Sequence, residues 1–258
     1  MINILAVGDV TSPRAAEELA KRLPAFRKKN DIDFAIVNGE NAGFILGPTA
    51  EIARGMLHGG ADLLSGGNHM LQNLSLHRYL EEDTRILRPC NYPRGVPGRG
   101  YTLRRVKDTR ILVVNALGRV HMEPPLDSPF AAIDRILAKE EGKYDLAILD
   151  FHAEATGEKL AMGRYLDGRF TVIFGTHTHV PTADDCILPQ GTGYVTDLGM
   201  CGGNGGVMGI ATDVILKRYL TGLPEKFLPA EGDIVCDGVI FTVDEKAKKT
   251  VATRRVKF

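Results

Sequence analysis

The sequence predicts an α/β protein built on a mixed β-sheet, or on two sheets packed face to face. The first observation is an alternation of short, β-rich apolar runs with helix-like stretches along the 258 residues. The second is that the early runs are apolar almost throughout, as in strands covered on both faces. The third lies in residues 236–258, where two strand-like runs flank a Lys-rich turn and indicate an antiparallel hairpin.

Eight apolar runs are predicted strands. In order they are NILAV (3–7), DFAIV (33–37), ADLLS (61–65), RILVVNA (110–116), DLAIL (145–149), FTVIF (170–174), GYVTD (193–197) and GVIFTV (238–243). The Pro/Gly-rich stretch 88–100 is interpreted as a loop and not as a linker, because strand-like sequence resumes at once. We therefore expect a single domain, residues 1–258.

Helices are predicted between several of these strands, at 12–23, 48–60, 128–142, 158–168 and 207–222. Ser12 and Ser128 each precede a proline, the usual order of an N-cap and a first helical residue. The second stretch begins with Pro48 and ends in Gly59-Gly60, which is a clear stop signal.

The composition is that of an ordinary globular protein, with 44% hydrophobic and 25% charged residues. Lys plus Arg equals Asp plus Glu at 32 each, which argues against a broad nucleic-acid-binding surface. No run approaches the roughly 20 apolar residues of a membrane span, and the first ten residues are typical of a strand, not a signal peptide. The four cysteines form no C-x-x-C pair, so we expect free thiols and a cytoplasmic location. The charge balance and the lack of a long apolar run lead us to expect no stable nucleic-acid partner and no membrane.

Five of the apolar runs are each followed at once by side chains that bind metals. These side chains are Asp9, Glu40 with Asn41, Asn68 with His69, Asp150 with His152, and His177 with His179. In open α/β sheets ligands bind beyond the carboxyl ends of the strands, so neighbouring strands would bring these residues to one edge. If the chain stays extended, His177 and His179 point to the same side and Thr178 points away. Glycines at 8, 39, 66, 67 and 175 fit a backbone that turns sharply beside a packed site.

The donor set combines carboxylates, amides and imidazoles, which suits Fe, Mn or Zn and lacks the thiolates of a structural zinc site. About seven ligands are enough for two ions if one carboxylate bridges, and Glu40 is the natural bridge. Two divalent ions bring a formal charge of about +4, and Asp9, Glu40 and a bridging hydroxide each offset one charge, which leaves about +1. That charge matches the single negative charge of a phosphodiester. Asp150 is not counted, because it is expected behind the ligands or as a strand-end cap.

Six motifs occur in one order between residues 8 and 200: GD (8–9), NGEN (38–41), GNH (67–69), DFHAEAT (150–156), GTHTHVPTAD (175–184) and TDLGM (196–200). As a set they resemble the calcineurin-like metallophosphoesterases, and more narrowly the YmdB-like branch, bacterial phosphodiesterases acting on 2′,3′-cyclic nucleotides. The resemblance implies a four-layer α/β/β/α sandwich with two mixed β-sheets and a dinuclear centre, with iron favoured over manganese or zinc.

Carried over by position, the resemblance implies two ligand sets that share Glu40. The first ion would be held by Asp9, Glu40, Asn41 and His179, and the second by Glu40, Asn68, His152 and His177. It also implies in-line attack on a phosphodiester substrate by a metal-bridging hydroxide, with His69 as the general acid. Two alternatives stay open: a phosphomonoesterase or nucleotidase on the same centre, and a regulatory metal-binding protein with weak catalysis. A homo-oligomer is a further expectation, because exposed loops around such sites often come from assembly.

The sequence departs from the family pattern at four places. Thr11 stands where most metallophosphoesterases have the histidine of D-x-H, and Glu40 stands where most have Asp; both changes agree with the narrower branch. Met70-Leu71-Gln72 replace the Thr-Trp-Asp-like residues usual after GNH, and the glycine-rich stretch 199–209 is unusual. The last two departures bear on the choice of substrate and not on metal binding.

Overall fold

A computed structural model describes residues 1–258 as two mixed β-sheets with helices on their outer faces. The strands are β1 (Ile2–Val7), β2 (Asp9–Val10), β3 (Phe34–Asn38), β4 (Leu63–Ser65), β5 (Tyr101–Val106), β6 (Thr109–Leu117), β7 (Leu146–His152), β8 (Val172–Thr176), β9 (Cys186–Ile187), β10 (Gly193–Val195), β11 (Met200–Gly203), β12 (Gly206–Val207), β13 (Ile210–Ala211), β14 (Ile234–Asp244) and β15 (Lys249–Lys257). The helices are α1 (Pro13–Lys29), α2 (Ala50–His58), α3 (Leu74–Glu82), α4 (Pro129–Glu140), α5 (Thr156–Leu166) and α6 (Thr212–Thr221). No helix combines the length and apolarity needed to cross a membrane.

Both sheets mix parallel and antiparallel pairs. The first runs β2-β11-β14-β1-β3-β4, with β15 paired to β14. Within it β1, β3 and β4 are parallel, and β14 runs antiparallel to β1. The second runs β5-β6-β7-β8-β10-β9, with β6, β7, β8 and β10 parallel. The predicted mixed sheets and the hairpin at residues 236–258 are confirmed.

Alternation along the strands produces the four layers. Ile2, Ile4 and Ala6 of β1 point into an apolar cluster between the two sheets, whereas Leu5 and Val7 point into a second cluster. That second cluster is closed by side chains of α1, α2 and α3, and a third cluster lies between the other sheet and α4 with α5. Because strand side chains alternate between faces, strands buried on both faces read as continuous apolar runs. The four-layer α/β/β/α sandwich is confirmed.

The helix ends confirm the predicted caps. Ser12 Oγ accepts a hydrogen bond from the Ala15 backbone N–H at 3.1 Å, and Ser128 Oγ accepts one from Ala131 at 3.4 Å. Each satisfies one of the donors that a helix N-terminus leaves unpaired.

Two predictions about residues 199–236 are wrong. Residues 207–211 do not begin a helix: they form the β12–β13 hairpin, whose central residues Met208 and Gly209 both have positive φ, and α6 begins only at Thr212. Two consecutive positive φ values are typical of a tight type I′ hairpin turn. In addition, Cys201 of β11 pairs directly with Cys236 of β14 and is joined to it by a disulfide, while Cys90 and Cys186 are free. A sequence separation of 35 residues does not show that two cysteines occupy opposed positions on adjacent strands.

Candidate metal centre

The polar residues that follow five strands meet in one cluster, although they span 170 positions from Asp9 to His179. The cluster lies where the carboxyl ends of the strands from both sheets come together. Seven members were predicted as metal ligands and one as a catalytic acid. They are Asp9, Glu40, Asn41, Asn68, His152, His177 and His179, together with His69.

The side chains of the cluster sort into two groups. In the first, His179 Nε2 lies 3.4 Å from Asp9 Oδ2 and 3.3 Å from Asn41 Nδ2. In the second, His152 Nε2 lies 3.2 Å from the side-chain oxygen of Asn68 and 3.0 Å from His177 Nδ1.

Glu40 lies between the two groups. Its Oε1 is 3.4 Å from His152 Nε2, and donor atoms of Glu40, His152 and His177 all lie within 4.8 Å of one another. Glu40 Oε1 and Asp9 Oδ2 are fully buried and accept no hydrogen bond. Leaving buried carboxylate oxygens unpaired costs free energy, and a cation in each group would satisfy them. The residues present therefore fit a pair of divalent ions.

The electrostatics of the protein alone also favour a cation. Burial by itself raises the pKa of Glu40, but the imidazoles of His152 and His69 outweigh it and lower the pKa. Burial lowers the pKa of His152, yet Glu40 and Asp9 raise it to about 9. The carboxylates thus hold a proton on His152, and a metal ion would displace it, since metal ligation requires neutral imidazole.

The expectation of an extended chain at His177 and His179 is wrong, although both side chains reach the cluster. The strand β8 ends at Thr176, and the two histidines have φ values of +105° and +62°. Side-chain-bearing residues rarely adopt such values, and they persist where surrounding contacts enforce them. The resulting bend sends His177 towards the second group and His179 towards the first.

Three further groups contact the histidines of the cluster, and the sequence did not predict these contacts. Thr176 Oγ1 lies 2.9 Å from His152 Nδ1, Glu154 Oε2 lies 3.1 Å from His177 Nε2, and the Met208 carbonyl lies 3.0 Å from His179 Nδ1. A carbonyl can only accept, so His179 Nδ1 donates to it, and Nε2 is the nitrogen that faces Asp9 and Asn41. Such contacts orient ligand imidazoles in metal sites.

Asp150 belongs to this supporting layer. Its carboxylate accepts hydrogen bonds from Asn38, Ser65 and Thr176 at 2.9, 2.5 and 2.7 Å. Burial raises its pKa to about 6. Through Thr176 it supports His152, so of the two roles expected for Asp150 the structure favours the position behind the ligands.

The glycines of the cluster permit close packing, and none of the five predicted positions has positive φ. A Cβ on Gly67 would lie 2.3 Å from His152 Nε2 and 2.6 Å from Glu40 Oε2.

We expect Gly67→Ala to displace both side chains and to lower metal content and activity by at least about tenfold, measured by elemental analysis and turnover. Gly157→Ala is the control, because a Cβ at Gly157 meets nothing within 4 Å. Full metal content in Gly67→Ala would contradict this packing role.

A cavity of about 350 Å³ opens beside the cluster and shares His69, Asn41, His177 and His179 with it. The hairpin at 206–211 contributes to its wall, including Met208. Met70, by contrast, is fully buried in the apolar cluster between the first sheet and helices α1, α2 and α3. Residues 70–72 do not line the cavity.

The sandwich fold and the donor residues at its strand ends define a calcineurin-like metallophosphoesterase. The chain belongs to the YmdB-like protein family, whose model matches residues 5–256. It is 39% identical over 255 residues to a 2′,3′-cyclic-nucleotide 2′-phosphodiesterase of Bacillus subtilis, covering 99% of this chain and 96% of that protein. It is 32% identical over 263 residues to a putative phosphatase/phosphodiesterase of Mycoplasma pneumoniae, covering 99% and 92%.

Solved structures agree with this family. A hypothetical protein from Thermus thermophilus superposes with a TM-score of 0.91 at 37% identity, covering 100% of this chain and 99% of that one. A putative 5′-nucleotidase from Staphylococcus aureus shares the fold, with a TM-score of 0.62 at 14% identity over 98% of this chain and 54% of its own.

Proposed function

We propose that the protein is a dinuclear, metal-dependent phosphodiesterase that hydrolyses cyclic nucleotides, with 2′,3′-cyclic nucleotides favoured. The observation that carries the proposal is the pair of donor groups with Glu40 between them, whose buried Oε1 accepts no hydrogen bond. Membership of the YmdB-like family supports phosphoric diester hydrolysis, and the Bacillus subtilis relative supports the cyclic substrate.

Asp9, Asn41 and His179 would hold one ion, Asn68, His152 and His177 the other, and Glu40 would bind both. Iron is favoured, with manganese and zinc as alternatives, because imidazole and carboxylate donors without thiolates suit these metals. When bound, the ions supply activation of the attacking water and neutralisation of charge on the phosphate.

His69 is the residue proposed to protonate the leaving oxygen. Its Nδ1 lies 2.8 Å from Asn41 Oδ1, which can only accept, and 3.0 Å from the Glu40 Oε1 atom. Nδ1 therefore carries a proton, and Nε2 is the ring nitrogen free to face substrate. The side chain is 24% exposed and lines the cavity, so a protonated Nε2 can donate to the departing ribose oxygen.

The test is elemental analysis of freshly purified protein together with a hydrolysis screen. The expected result is about two metal ions per chain and metal-dependent turnover of 2′,3′-cyclic nucleotides above their 3′,5′ isomers. Comparing bis-p-nitrophenyl phosphate with the monoester separates a diesterase from a phosphomonoesterase; the name of the Mycoplasma relative, a putative phosphatase/phosphodiesterase, covers both. Metal-loaded protein inert towards every phosphodiester would overturn the proposal.

We expect His69→Ala to retain its metal while the rate of hydrolysis falls by roughly 10²–10⁴, the usual contribution of a general acid. The loss should shrink for substrates whose leaving group needs no proton, such as p-nitrophenyl esters. His58→Ala is the matched control, because His58 is exposed at the end of α2. An unchanged rate in His69→Ala would remove the residue from the reaction.

A further inference from the structure

The cavity beside the metal cluster has a second, apolar half that the reaction at phosphorus does not use. Phe44, Ile45, Met208, Tyr219 and Phe227 line this half. At about 350 Å³ the whole cavity falls within the range of small-molecule sites. Because it is continuous with His69, a substituent on a phosphate bound at the cluster would extend into it.

Several of these apolar side chains are held in exposed or strained positions. Phe44 and Ile45 are consecutive residues with φ of +62° and +59°, and a β-branched residue at such φ is a rare outlier. Tyr219 is 76% exposed and Met208 is 45% exposed at the rim. Backbone strain and uncovered aromatic surface together mark ligand-binding sites.

Arg218 of α6 is the one permanently charged side chain in this half of the cavity. Its guanidinium lies over the Phe227 ring, 5.0 Å from the ring centroid. A guanidinium offers only donors in a planar fork. It therefore suits a flat, aromatic group with acceptors along one edge.

We propose that this half of the cavity binds the nucleobase of the substrate, and that it favours purines. Purines present a larger stacking face than pyrimidines, and their N7 edge, with O6 in guanine, accepts from an Arg fork. Arg218 and Tyr219 are then specificity-determining residues. This inference rests on the proposed cyclic phosphodiesterase activity.

The test compares kcat/KM for 2′,3′-cyclic AMP, 2′,3′-cyclic GMP, 2′,3′-cyclic CMP, and a base-free methyl riboside 2′,3′-cyclic phosphate. In the parent protein, kcat/KM for the purine nucleotides should exceed that for the base-free ester by at least about tenfold. Their advantage over 2′,3′-cyclic CMP should be smaller. Arg218→Met and Tyr219→Ser should each lose most of the purine preference through KM and leave the base-free ester unchanged. Arg78→Met, a fully solvated arginine on α3, is the control.

The outcomes separate the two proposals. Equal turnover of the base-free ester and the purine nucleotides overturns the nucleobase site while the phosphodiesterase stands. Equal values for CMP and the purines, or an undiminished purine preference in both variants, overturns the role given to Arg218 and the purine selectivity. Absence of turnover for all four esters in metal-loaded protein overturns the activity and this inference together.

Discussion

Glu40→Gln is expected to lower hydrolysis by at least about 10³-fold and to leave at most one metal ion per chain. The change keeps the size of the side chain but removes the charge that both donor groups share. Activation of water and neutralisation of phosphate by two ions contribute several kcal/mol, and about 1.4 kcal/mol corresponds to a tenfold rate. The measurement pairs elemental analysis with turnover of a cyclic phosphodiester.

A stability readout makes this prediction independent of catalysis. Added metal should raise the Tm of the parent protein, because a ligand that binds only the folded state stabilises it. That rise should largely vanish in Glu40→Gln. Glu51→Gln, at an exposed position at the start of α2, should keep two ions, full activity and the metal-dependent rise. A Glu40→Gln protein with two ions per chain would rule out Glu40 as the bridge.

Lys159→Met is expected to destabilise the fold by about 3–5 kcal/mol, the usual cost of leaving one partner of a buried ion pair uncompensated. Lys159 Nζ lies 2.6 Å from Asp197 Oδ2, and the two side chains are 2% and 0% exposed. The same carboxylate accepts from the backbone N–H of Thr178 at 3.1 Å, between the two ligand histidines. Asp197 therefore fixes the bend that carries His177 and His179.

Thermal unfolding should show the loss as a Tm lower by roughly 6–20 °C for a protein of this size. Lys21→Met is the matched control, since Lys21 is 66% exposed and its ion pair with Glu18 contributes little. Adding Asp197→Asn to Lys159→Met should recover much of the stability, because no charge is then stranded and an acceptor for Thr178 remains. A Tm equal to the control in Lys159→Met would show that the buried pair is not needed.

The meeting of these side chains in one cluster could be predicted, because several strands end in polar residues that are unfavourable to bury without a partner. Asp9, Glu40 and His152 follow or end apolar runs, and parallel strands deliver their carboxyl ends to one edge. The conformation of the ligands could not be predicted in this way. Positive φ at His177 is enforced by contacts distant in sequence, and the Met208 carbonyl that orients His179 has no side-chain signature at all.

The errors in the fold have a similar origin. Apolar residues at 207–211 match a helical spacing, but Gly206 before them and Gly209 among them favour a tight hairpin, and local spacing cannot decide between a helix and a hairpin. Strand β5 was missed because Arg104 and Arg105 interrupt its apolar pattern and because it lies at the edge of its sheet.

The position of β14 has a consequence for how the protein matures. Strand β1, which leads directly to Asp9, is flanked in its sheet by β3 and by β14, so its outer edge stays unpaired until residues 234–244 have been synthesised. While the ribosome is still adding them, the nascent polypeptide has all its donor side chains but lacks the strand that completes the sheet beneath Asp9. A metal ion would therefore find a stable site only after translation has passed β14, and truncated translation products should fail to hold one.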